Sequence, residues 1–235
     1  MAEQLAGLAD DRALLGRTST AERVSDILRS RIADGYFPPG TRLSEDGIGQ
    51  ALGVSRNTLR EAFRLLTHER LLVHELNRGV FVRVLTVEDV EDIYRTRSLV
   101  ERAVVRSLGE PPYPLQGLAS AVAEGDTAAA ENDWKAMGTA NIHFHQELVA
   151  LAGSERTDEL MRSVFAELRL AFHVADDPRR LHEPYLARNR QILQALQAGD
   201  RAAAERLLET YLSDSLQRIV EVYRRRVGED GTGVS

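Results

Sequence analysis

Three arginines, Arg56, Arg60 and Arg64, recur every four residues within the stretch SRNTLREAFRLL. A guanidinium carries a rigid fork of donors that can pair with guanine O6 and N7 or with a phosphate. Leu59, Ala62, Phe63 and Leu66 stand at i, i+3, i+4 and i+7, the apolar stripe of an amphipathic helix, so the arginines fall on another face. One side of this helix can close a core while the other is free to read a duplex. Ser55 has the chemistry of an N-cap, and Asn57 either addresses adenine or helps cap the helix. Beyond it, Asn77-Arg78-Gly79 lies between two β-prone runs, where glycine can take positive φ and Arg78 can reach a phosphate or the minor groove.

A second set of polar residues lies on apolar stripes. In the helix predicted from Thr86 to about Leu108, Val90, Ile93, Tyr94, Arg97, Glu101, Val104 and Leu108 share a face, which aims Arg97 and Glu101 at a core. Buried charge is costly unless paired. Their i, i+4 spacing lets them satisfy each other, or leaves Arg97 as a clamp for an acidic effector. Asn141 and His145 fall on the stripe of Trp134, Met137, Phe144 and Leu148; Asn189 aligns with Leu181, Tyr185, Ile192 and Leu196; Tyr211 aligns with Ala204, Leu207, Leu208 and Ile219. Four polar side chains facing inward from three helices fit a polar cavity, the alternative being an internally satisfied core. His143, two residues from His145, is rotated away to the surface.

The elements that must position these groups follow from local signals. Ser19 and Glu22 have capping-box spacing ahead of a face of Val24, Ile27, Leu28 and Ile32. Tyr36 to Gly40 is a turn with two prolines, and Ser44 caps a short helix in which Gly47 and Gly49 each cost roughly 1 kcal/mol. Gly53 ends that helix ahead of the Ser55 cap, which gives helix, tight turn and capped helix, the helix-turn-helix arrangement. Leu71 to Leu76 and Val80 to Val84 read as a hairpin, making the unit winged. From Thr86, a second capping box with Asp89, the strand signal disappears. Helices are expected at 86–108, 115–124, 127–151, 155–174, 178–198 and 201–227, with Gly125-Asp126 among the stops. The fold is thus expected to be mainly α, an N-terminal winged helix-turn-helix of three helices plus a β-hairpin joined to a C-terminal antiparallel helical bundle. The expected domains are residues 19–85 and 86–227, with flexible tails at 1–18 and 228–235.

Composition narrows the function. The 235 residues suit two domains, and with no cysteine there is neither disulfide nor thiolate metal site. No stretch has the length to cross a bilayer or the organisation of a signal peptide, so the protein reads as cytoplasmic, without a membrane partner. The net charge of −6 is unevenly spread: residues 55–83 hold six arginines against three glutamates, a local +3 that leaves −9 for the remainder. An enzymatic reading built on His145 with His143, His173 or His182 lacks an HExxH pair, an identifiable nucleophile and base, or a shared helical face, so no catalytic residue is expected.

The stretch RLSEDGIGQALGVSRNTLREAFRLLTHERLL, above all GVSRNTLREA, resembles the DNA-binding signature of the GntR family of bacterial transcriptional regulators, and NRGVFV is similar to its wing. The segments IYRTRSLVE, NIHFHQELVALAGS and RQILQALQAGDRAAAERLLETYL are similar to the FadR-type branch, whose helical ligand-binding domain is called FCD. The resemblance spans about residues 20–225. It implies a homodimeric regulator, a repressor, binding a palindromic double-stranded operator, with affinity controlled by an organic acid or related metabolite in the bundle. A dimer whose helical half senses nothing is the alternative. By the same resemblance Ser55, Arg56, Asn57, Thr58, Arg60, Arg78 and Gly79 meet DNA, beside Arg64 from the arginine row; Arg97, Asn141, His145, Asn189 and Tyr211, read from the apolar stripes, are the residues expected to meet the effector. Asp46 departs from the family, where a basic residue is common. Many members bind a divalent metal through an aspartate and three histidines; the matching positions here are Asn141, His145, Asn189 and Tyr211. With only the histidine retained, a tightly held metal is disfavoured and no cofactor is expected.

Overall fold

The computed structural model describes residues 19–173 and 177–230, with side chains to 225, so the tail expected at 1–18 and the end of that expected at 228–235 lie outside the described residues. The chain divides into two compact units between Arg83 and Val84.

In the first unit, α1 (Thr20–Ala33) opens on the expected capping box: the Ser19 hydroxyl accepts from the Glu22 amide and the Glu22 carboxylate accepts from the Ser19 amide. Val24, Leu28 and Ile32 are buried on it, and α1 packs against α3 (Arg56–His68). Arg29 holds the two together from outside, donating through Nε and Nη2 to both carboxylate oxygens of Glu69 at 2.7 and 2.6 Å. Between them, α2 (Glu45–Leu52) is capped by Ser44 and ends at Gly53, whose φ of 64° needs the left-handed freedom of glycine. A Cβ at Gly49 would stand 3.4 Å from the Val54 carbonyl oxygen, an ordinary contact, so the turn itself does not demand glycine there.

The hairpin exists, with β2 at Leu72–Glu75 and β3 at Gly79–Val82, Glu75 pairing with Gly79. It belongs to a three-stranded antiparallel sheet because a two-residue strand, β1 (Arg42–Leu43), pairs with β3 on its other side in the order β1-β3-β2. Two residues are too few for alternation to register in sequence, so β1 was not foreseeable there.

The second unit comprises α4 (Val87–Ser107), α5 (Gln116–Ala130), α6 (Trp134–Ala150), α7 (Glu155–Phe172), α8 (Pro178–Gln197) and α9 (Arg201–Asp230). The Thr86–Asp89 capping box is formed, and Ser154 and Asp177 cap α7 and α8. One expected break is wrong. Gly125 lies buried inside α5, where a Cβ would come within 2.9 Å of Leu186 Cδ1, so it is a close-packing glycine; α5 instead ends near Asn132, at φ 56°. The last helix extends three residues into the stretch expected as a C-terminal tail. Helix α6 packs against α4, α5, α7 and α8, while α9 packs against α4 and α8. Arg102 and Arg106 on α4 both reach Glu205 on α9, at 2.9 and 2.8 Å, and stitch the outer edge of that pair. Among the described residues no helix is long and apolar enough to cross a membrane.

Candidate nucleic-acid interface and buried polar site

In the first unit, α3 buries Leu59, Ala62, Phe63 and Leu66 and leaves the Arg56, Arg60 and Arg64 side chains 72%, 63% and 79% exposed. The arginine row therefore lies on open surface. Ser55 is the N-cap, accepting from the Thr58 amide at 3.1 Å and sharing a 2.8 Å hydrogen bond with the Thr58 hydroxyl. The cap is thus filled without Asn57, which is exposed. Arg56 and Arg60 meet the wing residue Gly79 around one concavity of about 420 Å³, which Arg42, Glu45 and Asp46 also line. Arg64 faces a different hollow with His68 and His74, and Arg78 stacks over Phe81 with its Cζ 5.5 Å from the ring centroid. Arg42 was missed by sequence reasoning because its position depends on β1; its Nε would stand 3.2 Å from a Cβ at Gly79, where φ is 113°.

The local +3 read along the sequence is not the charge of this surface. Arg56 Nε lies 3.0 Å from Asp46 Oδ1, Arg60 Nε 2.9 Å from Glu45 Oε2, and Arg64 Nη1 3.0 Å from Glu61 Oε2, while Arg78 pairs with Glu75. Glu45 and Asp46 lie outside the 55–83 window but fold against it.

In the second unit the polar residues expected on apolar stripes are all buried, with Arg97, His145 and Tyr211 each 1% exposed, Asn189 3% and Asn141 7%. They form two hydrogen-bonded groups that touch through a ring contact. Arg97 Nε donates to Glu101 Oε1 at 2.7 Å, and Glu101 Oε2 lies 2.6 Å from His145 Nδ1. The His145 and Tyr211 ring centroids are 4.7 Å apart. Asn141 Oδ1 accepts from both the Tyr211 hydroxyl and Asn189 Nδ2, each at 2.8 Å. Tyr94 and Phe165 lie on either side of the Arg97 guanidinium, their centroids 5.1 and 5.4 Å from Cζ. Phe165 on α7, and Ser215 on α9, which hydrogen-bonds the Tyr94 hydroxyl at 2.7 Å, were not singled out in the sequence, because an ordinary stripe phenylalanine and a serine carry no site signal.

The protonation states follow from these contacts. Burial opposes ionisation of Glu101, but Arg97 and His145 outweigh it and hold the carboxyl below its ordinary range. Burial also works against the Arg97 charge, which Glu101 and the Tyr94 and Tyr211 hydroxyls more than offset. His145 is driven down by burial, against the pull of Glu101, so it is neutral. A carboxylate only accepts, so neutral His145 carries its proton on Nδ1 and presents a lone pair at Nε2. Burial raises the Tyr211 phenol well above its ordinary value, leaving it a donor.

Three buried atoms of these groups have no hydrogen-bond partner: Arg97 Nη2, His145 Nε2 and Asn189 Oδ1. Arg97 therefore fits both alternatives open in the sequence, paired through Nε and unpaired at Nη2. Orphaned buried polar atoms are few in folded proteins, and these three come from α4, α6 and α8. The residues do not suit a divalent cation. Asn141 Oδ1 already accepts two bonds, Tyr211 holds its proton, and Glu101 is committed to Arg97 and His145, which leaves one imidazole nitrogen. Among the described residues no group of three His, Cys, Asp or Glu could hold an ion.

Two other histidines complete this unit. His143 lies at the surface as expected, half-buried with its side chain 44% exposed and its Nδ1 2.8 Å from Glu124 Oε2. His182 is 4% exposed, stacked edge-on against Phe172 and seated over Gly138, where a Cβ would meet its Nε2 at 2.7 Å. Burial and then the Arg169 charge push it down to about 4. The unfolded chain binds this proton below about pH 6.5 and the folded chain only below about 4, so stability is fully present above 6.5 and falls as pH drops. The helical unit is expected to lose about 3 kcal/mol between those limits through His182. Urea titrations from pH 7 to 4 check this, with His182→Gln expected to flatten the dependence.

A winged helix-turn-helix with an exposed arginine row, followed by a helical bundle with a buried polar centre, defines a DNA-binding regulator. The chain matches the model of the bacterial regulatory proteins of the gntR family over residues 20–82 and the FCD domain over residues 92–214. It is 31% identical over 197 residues to the Nta operon transcriptional regulator of Aminobacter aminovorans, covering 83% of this chain and 91% of that protein. It is 28% identical to the probable D-xylose utilization operon transcriptional repressor of Paenarthrobacter nicotinovorans, covering 85% and 88%. Among solved structures, a GntR transcriptional regulator from Rhodococcus sp. RHA1 superposes with a TM-score of 0.84 at 52% identity, covering 88% of this chain and 100% of that one. The chain belongs to the GntR family of transcriptional regulators, with an FCD domain following its helix-turn-helix.

Proposed function

We propose that the protein is a homodimeric repressor that binds a palindromic operator and whose affinity is controlled by a small organic effector held in the helical domain. Residues 19–85 serve as the DNA-binding domain and 86–227 as the effector and dimerisation domain. Ser55, Arg56, Asn57, Thr58, Arg60, Arg64, Arg78 and Gly79 meet the duplex, with Ser55 and Thr58 holding the helix start and the arginines supplying base and phosphate contacts. Leu99 and Leu160, exposed on the mutually packed helices α4 and α7, offer apolar surface to a second copy.

The observation that carries the effector reading is the trio of orphaned buried atoms: Arg97 Nη2 and His145 Nε2 belong to the Arg97–Glu101–His145 group and Asn189 Oδ1 to the Asn141–Asn189–Tyr211 group, and the two groups touch where the His145 and Tyr211 rings meet. Their chemistry asks for one acceptor, facing Arg97 Nη2, and two donors, facing His145 Nε2 and Asn189 Oδ1. A hydroxylated acid or related oxygen-rich metabolite has that complement. Effector occupancy favours whichever form of the dimer binds it better and thereby changes the population able to grip DNA. Thermal shift against hydroxylated acids and sugars, D-xylose included, tests it: a ligand at a hundred times its Kd stabilises by about 2.7 kcal/mol. A hit should also alter duplex binding and be lost in Asn189→Leu. Stabilisation without any change in DNA affinity would contradict the proposed control.

A further inference from the structure

The arginines proposed to read DNA are held by acids of their own domain, and two of those acids come from a different helix. Asp46 and Glu45 open α2, yet reach across to Arg56 and Arg60 on α3. Glu61 and Glu75 pair locally, each three residues away in sequence, with Arg64 and Arg78. Each arginine of the row, and the one at the wing, is thus matched by a carboxylate on the same surface. The Arg60 contact is made through Nε, which leaves the terminal nitrogens of the fork outside it. The Asp46 side chain is 72% exposed, so its ion pair is screened and opens readily.

We infer that Glu45 and Asp46 are specificity-determining residues: they suppress sequence-independent DNA binding by competing with phosphates for Arg60 and Arg56. This rests on α3 being the DNA-reading helix. On a random duplex the arginines gain only phosphate contacts, so surrendering a carboxylate cancels much of that gain and the two acids add repulsion of their own. On the operator, bidentate contacts to base edges outweigh the surrendered pairs. Electrostatics supplies nearly all non-specific affinity and only part of specific affinity, so the acids act more strongly against the wrong sequence. The alternative role is local: acids in the first turn complement the α2 dipole, and Ser44 caps the same helix. A dipole role touches folding and leaves the salt dependence of DNA binding alone.

The test uses the full chain and the isosteric variants Glu45→Gln, Asp46→Asn and their combination. Each is titrated against an operator duplex, selected from a random library with the unaltered protein, and against a scrambled duplex from 50 to 200 mM salt. Glu155→Gln, which removes a first-turn acid from α7, is the control for the dipole role. Each carboxylate removed frees one guanidinium to displace a counterion, so the double variant's slope of log K against log salt should steepen by about 1 to 2, against about 0.9 for each phosphate contact. Its scrambled-duplex affinity at 50 mM salt should rise about tenfold and its operator affinity less, while Glu155→Gln changes neither. Unchanged slopes, or equal gains on both duplexes, in variants that melt as folded proteins overturn the inference while leaving the reading helix intact. Failure of the unaltered protein to enrich any duplex overturns both.

Discussion

Glu101→Ala is expected to destabilise the helical domain by about 3–5 kcal/mol, the usual cost of removing one partner from a buried ion pair. Glu101 is fully buried and serves two partners at once, Arg97 Nε and His145 Nδ1. Its removal strands a guanidinium that sits 1% exposed between Tyr94 and Phe165. Denaturant titration should show an earlier midpoint for the helical domain. Glu101→Gln keeps the volume and should lose less, because its carbonyl can still accept from Arg97 while its amide faces His145. That arrangement asks His145 to accept at Nδ1 and moves its proton to Nε2, so one of the orphaned atoms changes from acceptor to donor. It also leaves the Arg97 charge unmatched. The Gln variant should therefore favour more anionic ligands than the unaltered protein, a shift readable in the same thermal panel. A Glu101→Ala variant as stable as the parent would mean that the Arg97–Glu101–His145 chain is not sealed from water.

Arg60→Ala should weaken operator binding by about 1–3 kcal/mol and relax preference at one base pair if Arg60 reads an edge, or lower affinity evenly and reduce the salt slope by about 1 if it meets a phosphate. The loss should fall toward the upper end. Once Arg60 is gone, Glu45 stays on the surface without its partner and faces the duplex as bare negative charge. The fold should be unaffected, since the side chain is 63% exposed and surface pairs contribute little. Fluorescence anisotropy on operator and scrambled duplexes separates the two roles. An Arg60→Ala protein with parental affinity for both duplexes would remove Arg60 from the interface.

The reading head was legible because its signals are local. The Ser55 cap, the i, i+3, i+4, i+7 stripe of α3 and the positive-φ turn at Asn77 and Gly79 are each written within a few residues. Inward-facing polar residues were legible for the same reason: Arg97, Asn141, His145, Asn189 and Tyr211 sit on helical stripes, and all are buried. What they do to one another was not. That Asn141 Oδ1 would gather both Tyr211 and Asn189 depends on how α6, α8 and α9 pack, which no single-helix pattern encodes. Charge was misjudged in the same way. A window along the chain counted an excess of arginine, whereas folding brings Glu45 and Asp46 against Arg60 and Arg56 from a neighbouring helix. Gly125 was taken for a stop because glycine ends many helices; here it lies buried inside one, where Leu186 packs close against it.

The most direct measurement is selection of duplexes from a fully random library by the purified full-length protein, carried out beside the Arg56→Ala/Arg60→Ala double variant. The unaltered protein should enrich an inverted repeat with half-sites about one helical turn apart or a multiple of that, and the folded double variant should enrich nothing above the input. Enrichment of the same repeat by both proteins, or of none by the unaltered one, would contradict the placement of DNA recognition on α3.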